Sequence, residues 1–321
     1  MINRELIRIK VVQLVYAFYQ NDDKSLEAAE KEFVFSLDKA YDLYNTLLLL
    51  MVSIGHTARR MVEVQQSRAQ RLHLQNDIST KFINNRFLEQ LRANEQLRAF
   101  QEKNGVSWAD EDDFLRRTYS RILEQPFYKE YVQSGEDSYE EDRELWRKIY
   151  RNLLCENEEL DDILEERSLY WNDDKAIIDT FILKTIRRFE DSQGSSQPLL
   201  PEYKDSEDPK FAAKLFRTTL QNKSYYRQLI AEHTQNWDIE RICTMDLIIM
   251  QTALAEIVSF PTIPISVSIN EYVEVAKAYS TPRSGSYING MLDTIVKRLQ
   301  EKGIVQKVES TIISNDKLNK K

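Results

Sequence analysis

Seven glycines and seven prolines are all that punctuate this 321-residue chain. Average usage, about 7% and about 5%, would supply roughly 22 and 16. Turns between strands draw on those residues, so a β-sandwich and a glycine-looped Rossmann sheet are both disfavoured. What remains is a chain that turns seldom and stays helical for long runs. Charged residues make up 30% and apolar ones 42%, enough for amphipathic helices around a real core and against a disordered polymer.

Ile7, Val11, Leu14, Val15 and Phe18 follow a 3.6-residue period and predict the first helix. The same reading gives a helix over about 26–74, with Gly55 its one candidate break, and further helices over about 80–103, 110–133, 138–155, 158–170 and 173–192. A last group covers about 209–235, 238–258, 267–279 and 286–301. The fold class is all-α. The run Gly194-Ser-Ser-Gln-Pro198-Leu-Leu-Pro201 reads as a linker spanning 194–205, and residues 304–321 read as a flexible tail. No internal repeat is strong enough to stand on the sequence alone.

Lys and Arg total 44 against 52 Asp and Glu, a formal charge of −8, so any nucleic-acid contact must use a local patch on an acidic molecule. The stretch from Arg59 to Lys103 is basic, including Arg60, Arg68, Arg71, Lys81, Arg86, Arg92 and Arg98, whereas acids crowd residues 136–166. Two readings stand side by side: solvated helix faces paired at i,i+4, and a basic polyanion surface with the acids pointing elsewhere.

Catalytic patterns are missing. His56, His73 and His233 fall on separate predicted helices with no ligand partner at metal-binding spacing, so neither a metal nor a cofactor is expected. No phosphate-cradling glycine loop and no nucleophile elbow is present, and the chain does not read as an enzyme. Cys155 and Cys243 lie far apart and read as unpaired thiols in a reducing compartment. The longest apolar run, Leu47 to Ile54, is far short of the roughly 20 residues a membrane helix needs, and the first residues carry no secretory signal. A cytoplasmic protein with no membrane association is expected.

The informative part is Trp237 to Leu299. Ile242, Met245, Ile249, Thr252, Ala253 and Ile257 share one face, with the carboxylate of Glu256 beside it. A buried acid needs donors, so Glu256 reads as structural, satisfied by the N-terminus of a neighbouring helix. Ser268-Ile-Asn-Glu271 matches a capping box, with Ser268 as the cap. Tyr287 lies about 100° off the apolar stripe of the last helix, where it either packs on a neighbour or stacks on a base. Arg283, Ser284, Ser286 and a helix start around it are the parts of a phosphate site. Gly290 reads as a point where two helices approach closely. At the other end of the chain, Arg4, Arg8 and Tyr16 share one face of the first helix, with Lys10 and Gln13 nearby. Cations with an aromatic suit single-stranded RNA.

Together these residues resemble the NusB family of transcription antitermination factors. The likeness runs through Arg8…Val12-Gln13…Tyr16, then Trp237-Asp-Ile-Glu-Arg241…Asp246…Ala253…Glu256. It continues through Pro264…Ile269-Asn-Glu271…Ala276-Lys277 and ends with Tyr287-Ile-Asn-Gly290-Met-Leu-Asp293. The resemblance implies a NusB-like helical bundle formed by residues 1–20 and 206–303, enlarged by a helical insertion over 21–205. It implies binding of boxA-type single-stranded RNA from rRNA operons, together with NusE, the ribosomal small-subunit protein, in the RNA polymerase elongation complex. Carried over by position, the RNA contacts are Arg4, Arg8, Tyr16, Lys277, Arg283, Ser284, Ser286 and Tyr287, and the NusE-facing helix holds Glu240 and Asp246. The competing reading is a helical interaction scaffold or homo-oligomer, with the run Leu47-Leu-Leu-Leu-Met-Val52 as its interface.

Overall fold

Among the described residues, asparagine followed three residues later by leucine opens four helices. Asn3, Asn85, Asn94 and Asn157 each accept from the backbone N–H of Leu6, Leu88, Leu97 and Leu160, at 2.9–3.0 Å. The amide oxygen satisfies a donor that the first turn leaves without an intrahelical partner. The computed structural model describes residues 1–21, 25–73, 79–234 and 241–307. Among these, no β-strand occurs and the regular structure is helical. No helix among the described residues is long and apolar enough to cross a membrane.

The chain divides into two units, one made of Asp38–Lys204 with Met1, the other of Ile2–Leu37 with the chain from Asp205 onward. The terminal unit contains α1 (Arg4–Tyr19), the first turns of α2 (Leu26–Arg71), and then α10 (Asp208–Gln221), α11 (Lys223–Ala231), α12 (Thr244–Ser259), α13 (Ile265–Tyr279) and α14 (Ser284–Glu301). Helix α12 is its axis: every residue from Asp246 to Ile257 is buried. A helix covered on all sides needs neighbours all round, and α1, α10, α11, α13 and α14 supply them. The expected boundary at residue 20 falls short, because the Phe33 ring of α2 stacks on Phe216 of α10 at 4.5 Å. The expected tail is docked as far as it is described. Val305 is buried, and Lys307 Nζ donates to the carbonyls of Ile257 and Phe260 at 2.8 and 2.9 Å. A cation there complements the negative end of α12.

The middle unit holds the rest of α2, then α3 (Arg86–Ala93), α4 (Glu95–Asn104), α5 (Asp112–Glu124), α6 (Pro126–Gln133), α7 (Tyr139–Ile149), α8 (Glu158–Arg167) and α9 (Lys175–Arg188). Two expected helices are each divided. Asn94, at ψ 123°, separates α3 from α4, and Pro126 at the first position of α6 ends α5. Gly55 does not break α2. It sits where a Cβ would collide with Leu88, so its role is close approach. Phe82 anchors an aromatic core, its ring 5.6–5.7 Å from those of Tyr119, Tyr128 and Trp146.

Residues 194–200 are packed into the middle unit and are no free linker. Asn94 Nδ2 donates to the Gln197 carbonyl at 2.7 Å, Leu199 N to Gln96 Oε1 at 2.8 Å, and Leu200 N to Tyr44 Oη at 3.2 Å. Leu199 and Leu200 are buried. Glycine and proline here supply bends for a pinned segment, a use that composition does not distinguish from a linker.

Candidate nucleic-acid interface

Helix α12 carries one buried carboxylate near each end, and each organises a different corner. Glu256 is fully buried. Arg8 reaches it from α1 with Nε at 2.8 Å and Nη2 at 2.9 Å, while Ser268 Oγ and Tyr272 Oη of α13 donate at 2.7 and 3.0 Å. Arg8 Nη1 continues to Glu271 at 2.9 Å. Burial pulls the Arg8 guanidinium down, but Glu256, Tyr272 and Glu271 outweigh it and hold its pKa above the ordinary value. Burial, reinforced by Glu256, pushes the Tyr272 phenol well up.

This arrangement corrects two expectations. Helix α13 begins at Ile265 behind Pro264, two residues before the expected start, so Ser268 lies inside the helix and is not its cap. Ser268 and Glu271, three apart, share a face, and that face carries donors and acceptors for Glu256 and Arg8. The donors to Glu256 are side chains from α1 and α13, and the backbone of a helix end is not needed.

At the other end of α12, Asp246 is 6% exposed and accepts from Ser280 Oγ at 2.6 Å and Ser284 Oγ at 2.9 Å. Thr281 adds its N–H and hydroxyl to Ser284 Oγ at 3.2 and 2.8 Å. The turn between α13 and α14 is thereby tied to the first turn of α12. Gly285 is buried against Lys277, whose Cγ would stand 3.3 Å from an added Cβ. Gly285, not Gly290, is the close-approach glycine of this helix pair; nothing lies within 4 Å of a Cβ at Gly290. The Lys277 stem crosses Gly285, and its Nζ meets Glu274 at 2.6 Å.

Tyr287 stands on the first turn of α14, 39% exposed, beside exposed Ser286 and Gly290. With Arg241, Met291 and His233 it lines a groove of about 760 Å³. Burial, then the nearby Asp246 carboxylate, raises its phenol pKa. Arg283 is exposed at the N-cap of α14. The structure thus places Ser286 and Tyr287 on one groove, with Arg283 at the start of the same helix, while Lys277 lies across Gly285, about 200° round α14 from Tyr287. It withdraws Ser284 into the core on Asp246, and Arg8 into the core on Glu256.

The α1 residues lie elsewhere. Arg4 faces Asp208 at 3.4 Å and lies over the Phe211 ring at 5.0 Å. Glu256 and Asp246 are ten residues apart, about 15 Å along a helix at 1.5 Å per residue. The cations at the start of α1 therefore sit at one end of α12 and the Tyr287 corner at the other. Tyr16 is 38% exposed one turn before Tyr19, whose hydroxyl donates to Gln251 Oε1 at 3.1 Å, between those two ends. Of the two expected partner-facing acids, Glu240 lies outside the described residues. Asp246 is buried, with each oxygen accepting from a serine of the α13–α14 turn. Exposed Arg241 was missed as a groove residue, although it closes the Trp237–Arg241 motif.

Comparison with known proteins bears on this bundle. The model of the NusB family matches residues 180–297, which contain all of α10 to α14 up to Lys297. The transcription antitermination protein NusB of Salinibacter ruber is 33% identical over 146 residues, 44% of this chain and 91% of that protein. The protein of the same name from Geotalea uraniireducens is 35% identical over 136 residues, 42% of this chain and 91% of its own length. A solved structure of T. maritima NusB is 26% identical, covers 47% of this chain and 90% of that one, and has a TM-score of 0.28.

Proposed function

This chain belongs to the NusB family, and from that premise we propose that it is a transcription antitermination factor, not an enzyme, that binds single-stranded boxA-type RNA together with NusE in the RNA polymerase elongation complex. The observation that carries the RNA reading is Tyr287, a half-exposed ring on the first turn of α14 in one groove with Ser286 and Arg241, with Arg283 at the start of the same helix. The ring offers a stacking face, the cations meet phosphate, and the helix start adds its positive end. Exposed Tyr16 and Arg4 extend the contacts along α1.

Arg8 and Ser284 serve this surface from beneath. Arg8 fixes α1 against α12 and α13, and Ser284 fixes the α14 start against Asp246. The NusE partnership rests on family membership alone. The scaffold reading loses its motivating feature, because Leu47 to Met51 are all buried.

The test is titration of the purified full chain with boxA RNA and with a scrambled strand, each with and without NusE. Preference for boxA that strengthens with NusE is expected. Equal affinity for both strands under both conditions refutes the proposal. With a net charge of −8, binding by the isolated chain is expected to be weak and salt-dependent.

A further inference from the structure

Part of each unit repeats part of the other. Asp142, Lys148, Arg151, Leu154 and Trp171 recur at unchanged spacing as Asp208, Lys214, Arg217, Leu220 and Trp237. After a one-residue insertion, Asp179, Ile182 and Thr185 recur as Asp246, Ile249 and Thr252. Burial follows the same register: Leu145, Ile149 and Tyr150 are buried where Phe211, Leu215 and Phe216 are. The order α7, α8, α9 is therefore the order α10, α11, α12 written a second time.

The helix that packs on each copy matches too. Asn85 caps α3 through Leu88 N as Asn3 caps α1 through Leu6 N. Arg86 N donates to Asp142 Oδ2 at 2.7 Å, where Arg4 Nε faces Asp208 at 3.4 Å. Helix α3 packs on α7 as α1 packs on α10. In this register α3 continued by α4 is the counterpart of α1, and exposed Arg98 stands where exposed Tyr16 stands.

Between α2 and the α3–α4 pair lies a groove of about 460 Å³. Arg92, Arg98 and His56 line it over a floor that includes Leu49, Val52 and Leu97, and no carboxylate is among its lining residues. Arg92 and Arg59 share a single carboxylate, Glu89, at 2.5 and 2.9 Å, so the rim carries surplus positive charge. Cations over a largely polar groove suit the phosphates of a nucleotide strand.

We propose that this groove is a second binding site for single-stranded RNA, with Arg92 and Arg98 on the phosphates. The inference rests on the RNA reading of the family bundle and deepens it: the middle unit binds the same class of ligand on the counterpart of α1. The chain's basic stretch is then more than a solvated face.

The test uses the full chain and a fluorescent single-stranded oligoribonucleotide of about six nucleotides. The unaltered protein is expected to take up two strands, and Arg98→Glu one, with unchanged helicity because the side chain is exposed. The log–log salt slope of the lost phase reflects about 0.7 per phosphate contact. Tyr287→Ala is expected to remove the other strand while the His56 ring resonances still move with RNA. Uptake of one strand, lost in Tyr287→Ala and untouched by Arg98→Glu, overturns this proposal and leaves the family site standing. Uptake lost in Arg98→Glu and untouched by Tyr287→Ala supports this groove and overturns the Tyr287 site instead.

Discussion

Arg8 and Glu256 face each other through two parallel N–H···O bonds of 2.8 and 2.9 Å, from opposite ends of the sequence and almost wholly out of water. Ser268 and Tyr272 donate to the same carboxylate, so its oxygens are saturated. A planar guanidinium fork suits this geometry in a way an ammonium does not. Removing one member leaves a buried charge without its counterpart. Arg8→Ala is expected to cost about 3–5 kcal/mol in urea unfolding, with Arg8→Lys recovering only part of it.

Tyr287→Ala is expected to weaken boxA binding by about 1–3 kcal/mol, while Tyr287→Phe keeps the stacking face and most of the affinity. Circular dichroism should show unchanged helicity in both, because the ring is already half exposed. An unfolded Tyr287→Ala variant would establish packing as the residue's main role.

Two glycines should respond in opposite directions to alanine. At Gly55 a Cβ collides with buried Leu88, so Gly55→Ala is expected to destabilise by about 1–3 kcal/mol. Gly290 lies inside α14 with open space around it, so Gly290→Ala should stabilise by about 0.5–1 kcal/mol. Thermal unfolding of the pair of variants reads both signs.

His56 provides a pH signature. Burial holds its pKa below the ordinary 6.5, Arg92 adds to that, and Arg59 and Arg60 oppose the upward pull of Glu89. The unfolded chain therefore binds the His56 proton more tightly than the folded protein does. The stability this group contributes is full above 6.5 and is lost as pH falls through the lower, folded value. Urea midpoints taken between about pH 5 and pH 7 should decline on acidification, and His56→Gln should flatten that decline.

Helices were legible in the sequence because periodicity and scarce punctuation report local backbone physics. Family membership was legible through the motifs of the last three helices. Tertiary commitments were not. Ser268-x-x-Glu271 has the composition of a cap, yet its side chains answer to a buried carboxylate on another helix. Arg8 has the spacing of a surface cation, and only its distance to Glu256 reveals a core residue. Residues 194–200 have linker composition because pinned bends and free ones use the same amino acids. The internal repeat is faint in the sequence for a related reason: what the copies share is mostly burial register and a few anchors such as Asp142 and Asp208. Substitutions such as Tyr150 against Phe216 keep volume while erasing identity.

Lys307 sits past the end of the last helix, yet its ammonium closes the carbonyls left open by α12, the most enclosed segment of its unit. A protease cut or a cloning boundary at Gly303 would remove no helix and would still unstopper the centre of the bundle. A boundary that keeps this cation lies no earlier than residue 307, four residues past Gly303.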